Sequence, residues 1–191
     1  MKNILLTLLL LFALTAAAQD KKSLETQAAD LLMLTKTNQY EKLLDYTHPG
    51  IFQYATKEQM LEAMPTMMKG PNYTVKIKDV APNFKFSEIF TIAGASYARV
   101  NYDMVTEMTF EKPLPPEKKE EMINILKSSM DTESVTIDTA TRTATIGKNI
   151  EMVAVFSSAT NGHWVFVNND GGILIKSLVP QEALTGIGAK M

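Results

Sequence analysis

The apolar positions of this chain follow three different rhythms, and each predicts an element. Ile4 to Leu14 (ILLTLLLLFAL) is an almost unbroken apolar run. From Ser23 to Lys36 the apolar positions fall at Leu24, Ala28, Leu31 and Leu32, with Thr35 in phase. That is the 3.6-residue period of a helix, and Ser23 can cap its start. Asn38 breaks this helix and opens a short second one through Tyr40, Leu43, Leu44 and Tyr46. Thr47-His48-Pro49-Gly50 ends it, because a Pro-Gly pair cannot continue a helix. Ile51 to Tyr54 reads as a short extended piece. Thr56 and Gln59 have the spacing of a capping box, and the helix they open carries Met60, Met64, Met67 and Met68 on one face. Pro65 interrupts it and Gly70-Pro71-Asn72 stops it.

Beyond Asn72 the period falls to two. Tyr73, Val75 and Ile77 alternate with Thr74, Lys76 and Lys78. Phe84–Ala93 and Ser96–Phe110 are longer extended runs, with Gly94-Ala95 as the turn between them. On the second run Tyr97, Arg99, Asn101, Asp103 and Glu107 share one face. Ala98, Val100, Tyr102 and Met104 share the other, and they suit either a core or an interface. Lys112 to Pro116 is a stiff connection, and Pro116 suits the first turn of an amphipathic helix, Glu117 to Met130. Four strands follow: Ser134–Asp138, Arg142–Ile146, Ile150–Ser157 and His163–Asn168. Asn161-Gly162 is a hairpin signal before the last of them. Leu178–Leu184 closes the pattern as a short helix with Pro180 in its first turn. Helices first, then a mostly antiparallel sheet interrupted by one inserted helix, make an α+β fold.

Composition narrows the setting. Lys2, the apolar run and Ala16-Ala17-Ala18 before Gln19-Asp20 have the order of a signal peptide. Residues 1–18 are expected to be cleaved after Ala18, which would export residues 19–191 as a single domain to the periplasm or the cell exterior. The run is shorter than the roughly 20 apolar residues of a membrane span. The chain holds no cysteine. Disulfides, thiolate metal sites, cysteine nucleophiles and a lipidated N-terminus are thereby excluded. The formal net charge is −2, and Arg occurs only at Arg99 and Arg142. Scattered cations argue against nucleic acid and anionic membrane surfaces as partners.

From Leu24 to about Asn168 the order of elements resembles the nuclear transport factor 2-like superfamily, the cone-shaped group that includes the ketosteroid isomerases. The stretch Asp45 to Met64 carries most of the likeness, with a short helix ending in Tyr46-Thr47-His48-Pro49 and a third helix capped by Thr56. The resemblance implies a curved sheet wrapped around the helices, a pocket at its open end and homodimers paired through an exposed sheet face. Candidate pocket residues are then Tyr46, Tyr54, Met60, Met64, Tyr102 and Trp164. The helix at Glu117–Met130 departs from the pattern, since the family joins its strands there by a short hairpin.

The chemistry-bearing residues are few. His48, with Asp45 one turn earlier, is a candidate acid–base pair near the expected pocket. The alternative is that His48 caps a helix C-terminus. His163 follows a turn and reads as a surface residue. Neither H-x-x-x-H nor H-E-x-x-H occurs, so no metal is expected. Ketosteroid isomerase-like proteins pair an acidic base with tyrosine donors. Here Asp103 or Glu107 would be the base and Tyr46, Tyr54 or Tyr102 the donors, with no residue-by-residue match. Tyr102 and Asp103 lie on opposite faces of a regular strand. The twelve methionines suit core packing first, an adaptable apolar pocket second and Cu(I) third. Phosphate-binding loops and nucleophile elbows are absent, and no cofactor is expected. The leading expectation is a non-catalytic module for a small apolar ligand or a protein partner. The alternative is a small cofactor-free isomerase or hydrolase.

Overall fold

The computed structural model describes residues 21–169 and 171–188, so the expected signal segment lies outside the described residues. The chain folds as α+β around an eight-stranded antiparallel sheet. The helices are α1 (residues 21–36), α2 (Tyr40–Asp45), α3 (Lys57–Met68), α4 (Lys119–Met130), α5 (Ile173–Leu178) and α6 (Gln181–Gly186). The strands are β1 (Lys69–Gly70), β2 (Tyr73–Ile77), β3 (Lys85–Phe86), β4 (Phe90–Ile92), β5 (Ala95–Phe110), β6 (Ser134–Asp138), β7 (Thr143–Phe156) and β8 (Val165–Asn168).

A long ribbon of β5 against β7 organises the sheet, in register from Ser96↔Phe156 to Thr109↔Thr143. Along the outer side of β5 lie β4, β3 and β2 in turn. Along the outer side of β7 lie β8 and β6. Alternation then sorts the side chains. One face takes Ala98, Val100, Tyr102, Met104, Thr106 and Met108 of β5, with Ala154, Met152, Ile150 and Ile146 opposite. The other takes Tyr97, Arg99, Asn101, Asp103 and Glu107, with Val155, Val153, Glu151, Asn149 and Thr145 opposite.

Three apolar clusters cover this ribbon. Leu24, Ala28 and Leu32 of α1 bury Ala98, Val100, Tyr102 and Met152 on the first face. Those β5 residues are therefore core. Behind them, Ile175, Ala183 and Leu184 of α5 and α6 cover Tyr97, Val153 and Val155. At the far end Leu126 of α4 packs over Met108, Ala144 and Ile146, again on the first face. Burying one such side chain contributes about 1.5–3 kcal/mol, so these contacts fix where each helix lies.

Several boundaries differ from those read in the sequence. Residues Pro49–Gln53 form a 3₁₀ helix where an extended piece was expected, and the His48 ring accepts from the Gly50 N–H at its start. Phe84–Ala93 is two short strands, because the Ser87 side chain takes a place in the ladder and accepts from the Arg99 N–H at 2.9 Å. The hairpin turn that follows is Ala93-Gly94, both at positive φ, which a two-residue turn of this hand requires. Arg142–Ile146 and Ile150–Ser157 are parts of the one strand β7. Gly147 bridges them, where a Cβ would meet the Ser134 Oγ at 2.8 Å. The closing helix is two helices, since Pro180 has no N–H to carry one through. The capping box of α3 forms as expected. However, no residue of α3 is buried, so its methionines do not build the core. α1 and α4 already occupy the apolar sheet face, and α3 packs laterally against α2, β1 and β2.

Candidate functional site

The apolar sheet face is continuous, but its helical cover is not. Between the α1 cluster and the α4 cluster an open cavity of about 360 Å³ reaches the sheet. Its floor is Tyr73, Val75, Met104, Thr106, Met108 and Ile146, all on the apolar face. Met67 of α3 forms one wall, and Ser129, Met130 and Asp131 at the end of α4 form another. Four thioethers thus meet one space from α3, β5 and α4. They are flexible and polarisable, which suits a pocket that adapts to its contents.

The α4 wall is fixed from below. Asp131 ends the helix at φ 50 in the left-handed region. Thr132 donates through Oγ1 to the Gly147 carbonyl at 2.6 Å, and Lys148 donates through Nζ to the Met130 carbonyl at 2.7 Å. Both anchors belong to or touch β7, so Met130 is held at a set height above the sheet. A cation at a helix C-terminus also complements the helix dipole.

A larger depression of about 780 Å³ lies between α1 and α2, lined by Gln27, Asp30, Met33, Leu34, Gln39, Lys42, Asp45, Tyr46 and His163. Its polar groups already hold one another. Tyr46 donates to Asp30 Oδ2 at 3.5 Å, and Lys42 donates to Gln39 Oε1 at 2.9 Å. The His163 Nε2 lies 3.4 Å from the Asp45 carbonyl oxygen. Burial raises the Tyr46 phenol above its ordinary pKa, and the Asp30 carboxylate raises it further. The ring is therefore a hydrogen-bond donor at neutral pH and not a base.

His48 and Asp45 are not brought together as a pair. The His48 Nδ1 is occupied by the Gly50 N–H at 3.1 Å, and the Asp45 carboxylate faces Lys57 Nζ at 3.6 Å. Burial lowers the His48 pKa, which favours the neutral ring that can accept that bond. Tyr46 lines the larger depression. Tyr54 is 63 % exposed and donates to Ser177 Oγ at 3.0 Å. Met60 and Met64 are half-buried along α3. Tyr102 and Trp164 are inside the α1 cluster, and burial pushes the Tyr102 phenol up to about 12. Asp103 and Glu107 lie on the polar face, away from Tyr102. Asp103 accepts from Asn149 and Asn83, and these bonds hold its carboxyl below the usual range.

Met104, Met108, Met130 and Lys148 were not singled out as site residues in the sequence. The alternation of β5 gave a signal for the first two, since Met104, Thr106 and Met108 continue the apolar face. Met130 and Lys148 carried none, because their meeting depends on how α4 docks on β7. Among the described residues no group of three or more His, Asp or Glu is placed to hold a metal ion. No helix among them is long and apolar enough to cross a membrane. No family model, curated protein or solved structure matches the chain.

Proposed function

We propose that this chain is an exported, non-catalytic binding module that takes a small apolar ligand in the methionine cavity. One observation carries the reading: an apolar sheet surface is left open between two helical covers, and four methionine side chains line the space, two from its floor and two from its walls. Ligand pockets are mostly apolar and largely pre-formed, and about 300–1,000 Å³ is their usual size. The cavity lies near the lower end of that range. The test uses N-phenyl-1-naphthylamine, a neutral apolar dye whose emission rises on transfer from water. Saturable binding is expected in the native protein. Val75→Trp, which places an indole on the cavity floor, should reduce it about tenfold or more with the fold intact by circular dichroism. Equal dye binding by both proteins would reject the cavity as the site.

A second reading, a cofactor-free isomerase or hydrolase, belongs to the larger depression. His163, Tyr46, Asp30 and Asp45 all line it, and an imidazole and a phenol in one depression are an acid–base set. This reading replaces His48 by His163 as the general base. It requires that an ester or ketone substrate found by screening lose turnover in both His163→Ala and Tyr46→Phe. Turnover unchanged in both variants would remove it.

A further inference from the structure

We infer that the ligand of the methionine cavity is an aliphatic carboxylate whose headgroup seats on Lys148. This deepens the binding reading above and rests on it. Lys148 faces Met104 across the β5–β7 ladder, with Ile146 and Ile150 as its neighbours on the same face of β7. It is thus a half-buried cation on the apolar side of the sheet, where a counter-charge offsets the part of its hydration that burial removes. Among the described residues the ion pairs are Lys36–Asp79, Lys57–Asp45, Lys78–Glu107 and Lys127–Glu133, and Lys148 is in none of them. Its hydrogen bond goes to the Met130 carbonyl, which uses one of three ammonium donors. Asp131, the other charged group on the cavity wall, is exposed and makes no ion pair with it.

Lys148 lines a space whose apolar part is four thioethers, Val75 and Ile146, with Tyr73, Thr106, Ser129 and Asp131 completing the lining. An alkyl chain fits the apolar part, and a carboxylate at its end supplies the missing counter-charge through charge-assisted hydrogen bonds. A lysine that only anchors the end of α4 would need no such partner, and the two roles separate in binding data.

Isothermal titration with decanoate and with 1-decanol, at pH 7.5, reads the difference directly. Decanoate is expected to bind about tenfold or more tightly than the alcohol. Lys148→Gln keeps a donor for the Met130 carbonyl and removes the charge. It should close that gap by weakening decanoate alone, while Lys148→Arg should keep the preference. Equal affinity for the two ligands in the native protein would overturn the headgroup assignment and leave the apolar cavity standing. So would an equal loss of both in Lys148→Gln. Failure of either ligand to bind, together with a negative dye titration, would overturn the cavity reading itself.

Discussion

At Tyr97 and Ala98 the β5–β7 ribbon is covered on both faces, by α1 on one side and by α5 and α6 on the other. Around Thr106 and Met108 it is covered on one face, and there incompletely. The residue types follow the difference. The first end carries Val100, Val153 and Ala154 at 0 % exposure. At the second end the uncovered face carries Asp103, Glu107, Asn149 and Thr145. One ribbon thus has a structural end, where side chains are closely packed, and an end whose apolar face stays accessible. A binding site on a sheet needs that asymmetry, since a surface buried on both faces has no room for a ligand.

The largest test of this contrast is a pair of truncations. Trp164→Ala, at the packed end, should cost about 3–5 kcal/mol of unfolding free energy by urea titration. Met67→Ala, at the open end, should stay within about 0.5 kcal/mol, because Met67 is 67 % exposed. Equal costs would erase the distinction. Trp164→Phe sharpens it further. The Trp164 Nε1 is buried with no hydrogen-bond partner among the described residues, so the phenyl ring should recover much of the loss seen in the alanine variant.

A smaller effect is expected from pH, again at the packed end. Burial lowers the folded-state pKa of His48, so protonation favours the unfolded chain. Its contribution is complete above the unfolded value of about 6.5 and is lost as pH falls through the lower folded value. Denaturation midpoints should therefore decline below pH 6.5. His48→Asn, which keeps an acceptor for the Gly50 N–H, should flatten that part of the decline. A parallel profile in the variant would assign the slope to other groups.

The smallest expected effect lies on the polar face. Lys78 and Glu107 pair at 2.9 Å with both side chains partly exposed. Glu107→Gln should change stability by less than about 1 kcal/mol, and the change should shrink in 0.5 M salt. A cost as large as that of Trp164→Ala would mean that this face is not a solvated one.

The elements were legible where local signals were strong. The Thr56–Gln59 box, the Leu24–Ala28–Leu32 stripe and the two faces of β5 all follow from spacing, and the structure places them as read. Boundaries failed where a distant partner decided them. Nothing local to Gly147-Lys148-Asn149 says that β7 continues, because its support comes from Val105, Met104 and Asp103 across the ladder. The methionines of α3 were read as a core stripe, yet helical spacing cannot reveal that α1 and α4 have already claimed the sheet. The candidate cavity was hidden for the same reason. Its residues come from α3, β2, β5, α4 and β7, and only tertiary packing makes them neighbours.

The register of the long ribbon also sets an order of assembly. Thr109 and Thr143 are its nearest partners along the chain, and Ser96 and Phe156 its most distant. Closing the shorter loop first costs less chain entropy, and each further pair then adds to a ladder already begun. The ribbon is therefore expected to zip from the cavity toward the packed end, with α4 and β6 inside the first loop to close. Substitutions at Ile137 or Ala144 should slow refolding, whereas those at Val153 or Leu184 should mainly speed unfolding. On that order, the end of the ribbon beside the open cavity is the part around which the rest is expected to condense.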